Sequence, residues 1–191
     1  MIELSGVSKS YGTNRVLDHF DLSIEEGTIN CIMGTSGRGK TTLVRIMMGL
    51  EFQDSGQITG LSHLRKSAIF QEDRLCENLS CMSNIQLVCQ KRLKKDALIN
   101  DMSAVGLQPD CFHQVVRTMS GGQRRRIAIL RALAAEYDIL FMDEPFKGLD
   151  PETKNLVMFY TKQRTVGKTV IFVTHDETEY SLLGGRLIYM K

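Results

Sequence analysis

No apolar run in this sequence approaches the roughly 18 residues that a bilayer-spanning helix needs; the longest, such as residues 139–142 and 170–173, are short. A membrane permease fused to the chain is therefore not expected. The opening Met1-Ile2-Glu3-Leu4 lacks both the basic flank and the apolar stretch of a secretory signal, which predicts a cytoplasmic protein. Also missing is any Cys-x-x-Cys pair among Cys31, Cys76, Cys81, Cys89 and Cys111. Such an odd, scattered set suits free thiols in a reducing compartment better than a disulfide framework. The spacing of the later four with His113 matches no common zinc finger or ribbon. Strong charge of either sign is absent too. The formal net charge is +2, too small to favour nucleic acid, so no nucleic-acid partner is expected even though Arg124, Arg125 and Arg126 stand in a row. No internal repeat or low-complexity linker interrupts the 191 residues. Few residues follow His175, so a carboxy-terminal regulatory domain is not expected. What is present is an ordinary folded-domain balance, 42% hydrophobic and 24% charged, on a length suited to one large domain with a small insertion.

Strand-like apolar runs recur at residues 28–33, 67–70, 139–142 and 170–173. Helical patterns follow three of the four, which predicts βα units around a largely parallel sheet and hence an α/β fold. Residues 2–4, 16–24 and 186–191 read as short strands joined by turns, with Gly6, Gly12, Gly184 and Gly185 as punctuation. They predict an antiparallel layer beside the parallel sheet. Between Glu72 and Gln123 the strand signal fades. There Leu98, Met102 and Val105 fall on one helical face that ends at Gly106, so the middle third reads as a helical insertion.

Gly34-Thr35-Ser36-Gly37-Arg38-Gly39-Lys40-Thr41 fits the pattern G-x-x-x-x-G-K-S/T, and it lies between a predicted strand and a predicted helix. Glycines let the backbone curl until successive N–H groups point at phosphate oxygens, and the following helix start adds its positive dipole end. Lys40 is then placed to reach the β and γ phosphates, and Thr41 to offer its hydroxyl to Mg²⁺. Arg38 either points to solvent or adds a positive charge near the phosphates. Residues 139–144 read as a buried strand ending in two adjacent carboxylates, Asp143 and Glu144. Phosphoryl transfer to water needs one group on the metal side and one that polarises the attacking water, which assigns Asp143 to Mg²⁺ and Glu144 to the water.

Met119-Ser120-Gly121-Gly122-Gln123, followed by Arg124, resembles the signature sequence of the ABC (ATP-binding cassette) ATPases. A Ser and two glycines at a predicted helix start again expose N–H groups and a dipole to an anion. The resemblance runs from Tyr11 to His175. It implies a phosphate-loop NTPase fold with a RecA-like parallel sheet core, an antiparallel β subdomain and a helical subdomain insertion. The core takes residues 1–71 and 124–191 and the helical part residues 72–123, all within one ABC ATPase domain of residues 1–191. ATP and Mg²⁺ are the implied cofactors.

Residue by residue, Tyr11 resembles the aromatic that stacks on adenine, with Val16 beside it. Gly34, Thr35, Ser36, Gly37, Arg38, Gly39, Lys40, Thr41 and Thr42 are implied to surround the phosphates. Gln71 resembles the glutamine that senses Mg²⁺ and water. Lys40, Glu144 and His175 take the catalytic roles, and Thr41, Gln71 and Asp143 those of the metal site. Ser120, Gly121, Gly122 and Gln123 are implied to bind the γ phosphate of nucleotide held by an opposite subunit, in a homodimer or in a heterodimer with a second ABC subunit. Gly148, Leu149 and Asp150 resemble the loop that contacts that subunit, although Lys147 replaces the commoner small residue before it. Asp150 also reads as a helix N-cap, because Pro151 and Glu152 follow it.

Residues 70–75, Phe-Gln-Glu-Asp-Arg-Leu, are similar to a segment of importer ATPases that serve sulfonates, nitrate, taurine and related small anions. That likeness implies a motor on the cytoplasmic face of the cell membrane, driving a separate transmembrane permease, with an external solute-binding protein as a further partner. Residues 76–111 would form the groove for the permease's coupling helix. Cys76-Glu77-Asn78 departs from the residues usual in that subgroup. An ABC exporter motor and a soluble non-transport ABC ATPase stand as alternatives.

Overall fold

The computed structural model describes residues 1–89 and 95–190. Residues 90–94 of the expected insertion and residue 191 of the expected closing strand lie outside the described residues. Strands β1 (Ile2–Tyr11), β2 (Asn14–Ile24) and β4 (Ser55–Thr59) form one antiparallel sheet, in the order β2-β1-β4. Strands β3 (Ile29–Gly34), β5 (Lys66–Ile69), β6 (Ile139–Asp143), β7 (Thr169–Val173) and β8 (Arg186–Met190) form a parallel sheet, in the order β5-β6-β7-β3-β8.

The parallel sheet is legible because it is covered on both faces, so its central strands have no solvent side to encode. Every residue of β6 and of β7 is buried. Alternate side chains then feed two cores. Leu140, Met142, Val170 and Phe172 pack with the helices of the middle third, while Ile139, Phe141, Ile171 and Val173 pack with the antiparallel sheet and with helix α1 (Lys40–Met48). The register Met142↔Phe172 and Ile32↔Val173 fixes this alternation across the sheet.

The middle third holds α2 (Cys81–Gln86), α3 (Lys95–Ala104) and α4 (Gly121–Ala134). Leu98, Met102 and Val105 are all buried, as their spacing predicts. Gly106 stops the helix in a left-handed conformation with φ +75°, and the Leu107 N–H returns to the Met102 carbonyl at 3.0 Å. Burying each of these side chains stabilises the fold by about 1.5–3 kcal/mol, which outweighs the weak helical amphipathicity of the segment. Helices α5 (Pro151–Arg164) and α6 (Glu177–Leu183) connect β6 to β7 and β7 to β8. Among the described residues, no helix is long and apolar enough to cross a membrane.

Two sequence expectations need correction. The closing strand does not belong to the antiparallel layer. It runs parallel to β3, with Asn30 opposite Arg186 and Gly34 opposite Met190, because α6 carries the chain back across the sheet and a crossover of that kind delivers a parallel strand. The antiparallel sheet is larger than expected. β1 extends to Tyr11 through a register shift between Leu4 and Val7, where Gly6 sits, and β4 adds an unforeseen edge whose only apolar residue is Ile58.

Candidate active site

The 34–41 loop leaves the end of β3 and enters α1 directly. Two of its glycines are required by packing as well as by conformation. Gly34 has φ +152°, and a Cβ there would lie 2.4 Å from the Met190 carbonyl oxygen; Gly39 has φ +80°, and a Cβ there would lie 2.5 Å from the Val16 carbonyl oxygen. The loop is thus pressed between β8 and β2. Gly39 caps α1 without a side-chain hydrogen bond, and no acidic residue stands in the first turn. The N–H groups at this helix start and its positive dipole end are left for an outside anion. Lys40 reaches back over the loop, its Nζ donating to the Gly34 and Thr35 carbonyls at 2.8 Å each. Thr35, Ser36, Gly37, Arg38 and Thr41 are exposed, and Thr42 is half-buried. Arg38 lies along the loop, with Nε donating to Thr35 Oγ1 at 3.3 Å.

Tyr11 ends β1 with its ring exposed beside this loop. Its hydroxyl donates to the Glu51 carboxylate and also meets the Thr42 hydroxyl, while the Lys9 ammonium lies 5.6 Å from the ring centre. Val16 is half-buried where its carbonyl meets Gly39.

Opposite the loop, β6 ends in the paired carboxylates. Asp143 is buried, which pushes its carboxyl above the usual carboxylate range, against a lowering hydrogen bond from the Thr41 hydroxyl. Thr41, Gln71 and Asp143 line one cavity of about 100 Å³. These are hard oxygen donors of the kind that suit a small divalent cation. Glu144 has φ +47°, a left-handed backbone in a residue with a Cβ. That conformation costs roughly 1–2 kcal/mol. It turns the side chain out into a ring of partners. Lys147 Nζ donates to Glu144 Oε2 at 2.6 Å, Gln71 Nε2 lies 3.5 Å from the same oxygen, and His175 Nδ1 lies 3.4 Å from Oε1. Burial tends to raise the Glu144 carboxyl, but the Lys147 hydrogen bond and charge, with His175, outweigh it and hold the group below its ordinary value. His175 is exposed on a short segment that is pinned on both sides. Thr174 Oγ1 donates to Glu179 Oε2 at 2.6 Å, and Lys154 Nζ binds both Asp176 and Glu179.

Sequence reasoning missed Arg125. In the sequence it is the middle of three consecutive arginines, and nothing sets it apart from its neighbours. In the structure it is buried at 4% exposure. Its guanidinium donates to the carbonyls of Phe70 (2.6 Å), Pro145 (2.7 Å), Glu144 (2.6 Å), Asp143 (3.3 Å) and Gln71 (3.4 Å), and pairs with Asp73 Oδ1 at 3.2 Å. A buried cation needs this many partners. Hydrogen bonds to a charged group contribute about 1.5–3 kcal/mol each, enough to offset the Glu144 strain. Helical spacing alone does not single it out, since Arg124, Arg125 and Arg126 all have buried apolar residues three and four positions on. Lys147 was noticed as a departure, but its contact with Glu144 depends on the turn between them.

The signature residues form a second group. Ser120 is the exposed N-cap of α4, with a closed capping box: its Oγ accepts from Gln123 N–H at 3.2 Å, and Gln123 Oε1 accepts from Ser120 N–H at 2.9 Å. Gly121 is exposed, and Gly122 packs beside Leu149. Asp150 caps α5 through the Thr153 N–H at 3.0 Å, as expected, and Gly148 is exposed. Among the described residues, 120–123 share no hydrogen bond with the 34–41 loop. The structure therefore gathers Lys40, Thr41, Gln71, Asp143, Glu144 and His175 along the carboxyl ends of the parallel strands, the usual ligand edge of such sheets. It sets Ser120–Gln123 and Gly148–Asp150 together as a separate surface.

The sequence pattern of the family described as ABC transporter matches residues 17–147. The sulfate/thiosulfate import ATP-binding protein CysA of Rhodopseudomonas palustris is 34% identical over 99% of this chain, which spans only 60% of that relative's length. The aliphatic sulfonates import ATP-binding protein SsuB of Delftia acidovorans is 34% identical over 100% of this chain and 79% of its own. Among solved structures, the dimeric ATP-binding cassette MJ0796 bound to ADP and Pi superposes with a TM-score of 0.85 at 27% identity, covering 100% of this chain and 94% of that one. The expected architecture holds: a phosphate-loop NTPase with a parallel core, an antiparallel β subdomain and a helical subdomain. With the phosphate loop, the paired carboxylates and the signature helix each in place, the chain belongs to the ABC transporter family.

Proposed function

We propose that this chain binds ATP and Mg²⁺ and hydrolyses ATP as the motor subunit of an ABC transporter. The observation that carries the reading is the Glu144 carboxylate, turned out of the strand end toward Gln71 and His175 and flanked by Asp143, Thr41 and the 34–41 loop. In this reading Lys40 exchanges its two loop carbonyls for the β and γ phosphates, and loop N–H groups take the remaining phosphate oxygens. Thr41, Asp143 and Gln71 hold Mg²⁺, which when bound neutralises charge on the phosphates. Glu144 accepts the proton of the attacking water, while Gln71 and His175 orient that water and the γ phosphate. Tyr11 stacks on adenine, with Val16 beside it.

Ser120, Gly121, Gly122 and Gln123 meet nucleotide held by a second ABC subunit, identical or not, with Gly148, Leu149 and Asp150 at the same boundary. ATP favours this closed pair only as far as it binds the closed form more tightly than the open one. Closure drives a transmembrane permease docked on the helical part, residues 72–123, so the chain works on the cytoplasmic face of the membrane. That CysA and SsuB are import ATP-binding proteins supports import; the likeness of residues 70–75 to anion importers favours a small anion as cargo, with an external solute-binding protein delivering it.

The test is to extract the chain from membranes in mild detergent, identify its companions by mass spectrometry, and measure Mg-dependent ATP hydrolysis. A membrane-spanning companion and hydrolysis are expected. A chain that binds no ATP sinks the reading, and one that hydrolyses ATP with no membrane companion confines it to a soluble ATPase.

A further inference from the structure

We infer that Arg125 is a positioning residue that clamps the segment bearing Gln71 to the turn bearing Glu144, and so sets the aim of the hydrolytic base. The inference rests on the reading of Glu144 given above. Three observations separate this role from simple packing.

The first is the choice of acceptors. Apart from Asp73, every group that Arg125 touches is a backbone carbonyl of one of two segments, Phe70 and Gln71 on one side and Asp143, Glu144 and Pro145 on the other. These are the ends of the neighbouring strands β5 and β6, just beyond the last β5–β6 pair, Ile69 opposite Met142. On the β6 side the Glu144 N–H still reaches the Val173 carbonyl of β7 at 3.0 Å, but among the described residues no strand pairing ties the two segments to each other there. The second is the conformation being held. Glu144 is one of only three residues other than glycine with positive φ among the described residues, and its own carbonyl receives one of the two shortest Arg125 bonds. A left-handed residue with a side chain persists only where its surroundings over-determine it. The third is the geometry of the donor. A guanidinium presents five N–H groups in one rigid plane, so it can fix the separation of two segments in a way that a single ammonium cannot.

Position adds a consequence. Arg125 lies on α4 just beyond the helix tip at Ser120, so the same rigid element carries the signature surface and the clamp. A shift of α4 upon docking of a second subunit would be passed directly to Gln71 and Glu144.

The test uses the full chain with Arg125→Met, Arg125→Lys, Glu144→Gln and the Arg125→Met/Glu144→Gln double variant. Steady-state and single-turnover hydrolysis are measured alongside affinity for a fluorescent ATP analogue. Arg125→Met should lower kcat by about 10–100-fold, the scale of loss for a misplaced catalytic group, with KM and analogue affinity within about 3-fold of the parent, since Arg125 does not touch the phosphate loop. Arg125→Lys, which keeps the charge but not the fork, should recover part of the loss and also serves if the methionine variant does not fold. In the Glu144→Gln background the Arg125 change should add less than about 2-fold, because there is no base left to misalign. Unchanged kcat in Arg125→Met, or losses that multiply in the double variant, would overturn the inference. Full activity in Glu144→Gln alone would instead remove the reading of Glu144 and this inference with it.

Discussion

At the start of α1 the cap is Gly39, left-handed and with no side chain to offer, so the first-turn N–H groups stay open and Lys40 adds a positive charge above them. At the start of α4 the cap is Ser120, whose hydroxyl and Gln123 amide close on each other's backbone and leave mainly Gly121 and Gly122 to face outward. Both are glycine-bearing helix tips, and both suit an anion. Their difference is one of readiness. Under the proposed function the first would hold a polyanion unaided; the second has already satisfied part of its own demand and would add affinity only when an anion is brought to it. That division fits a site whose second half comes from another subunit.

The largest effect that would sharpen this comparison comes from the Glu144 carboxylate. Glu144→Gln should lower hydrolysis by roughly 10²–10⁴-fold while leaving ATP binding intact. In size-exclusion chromatography with Mg-ATP it should run as a dimer. If that variant remains monomeric, the notion of two half-sites is wrong. Next in size is Lys40→Ala. Losing charge-assisted hydrogen bonds of about 1.5–3 kcal/mol should weaken affinity for a fluorescent ATP analogue by roughly 10–100-fold. An equal loss from Ser120→Ala in a single chain would erase the distinction between the tips.

The glycines themselves offer a smaller, structural contrast. Gly39→Ala places a Cβ at φ +80° against the Val16 carbonyl, so it should cost about 2 kcal/mol or more and lower Tm by several degrees in a thermal melt. Ser120→Ala removes the α4 cap and should cost about 1 kcal/mol, with ATP-dependent dimerisation weakened and single-chain affinity unchanged. Smallest of all is Gly121→Ala, which meets nothing within 4 Å. Its Tm should stay close to that of the parent, within about 0.5 kcal/mol of stability; a large drop would mean that the exposed tip is packed after all.

How much of this could be read beforehand depended on where the burial pattern was local. Strands β6 and β7 stood out because runs of four consecutive apolar residues, 139–142 and 170–173, have no other home in an α/β domain. The phosphate loop stood out because its glycines and lysine occur at fixed spacing. β4 did not, since an edge strand reading Ser-Gly-Gln-Ile-Thr carries one apolar residue and takes its partner from β1, far away in sequence. β8 was recognised as a strand yet assigned to the wrong sheet, because its mixed exposure imitates an antiparallel strand and direction is decided by the crossover through α6. Arg125 was hidden for the same reason. Three arginines in a row look alike until the helix face and the two strand ends are both known.

The lysine lying across the 34–41 loop has one more implication. By joining Gly34 and Thr35 to the first turn of α1, its ammonium keeps a glycine-rich curl in shape before any ligand arrives. Such a loop has little freedom left to surrender upon capture. Encounter should therefore be quick, and the lifetime of the bound state, rather than the speed of arrival, is where variants of this protein would differ.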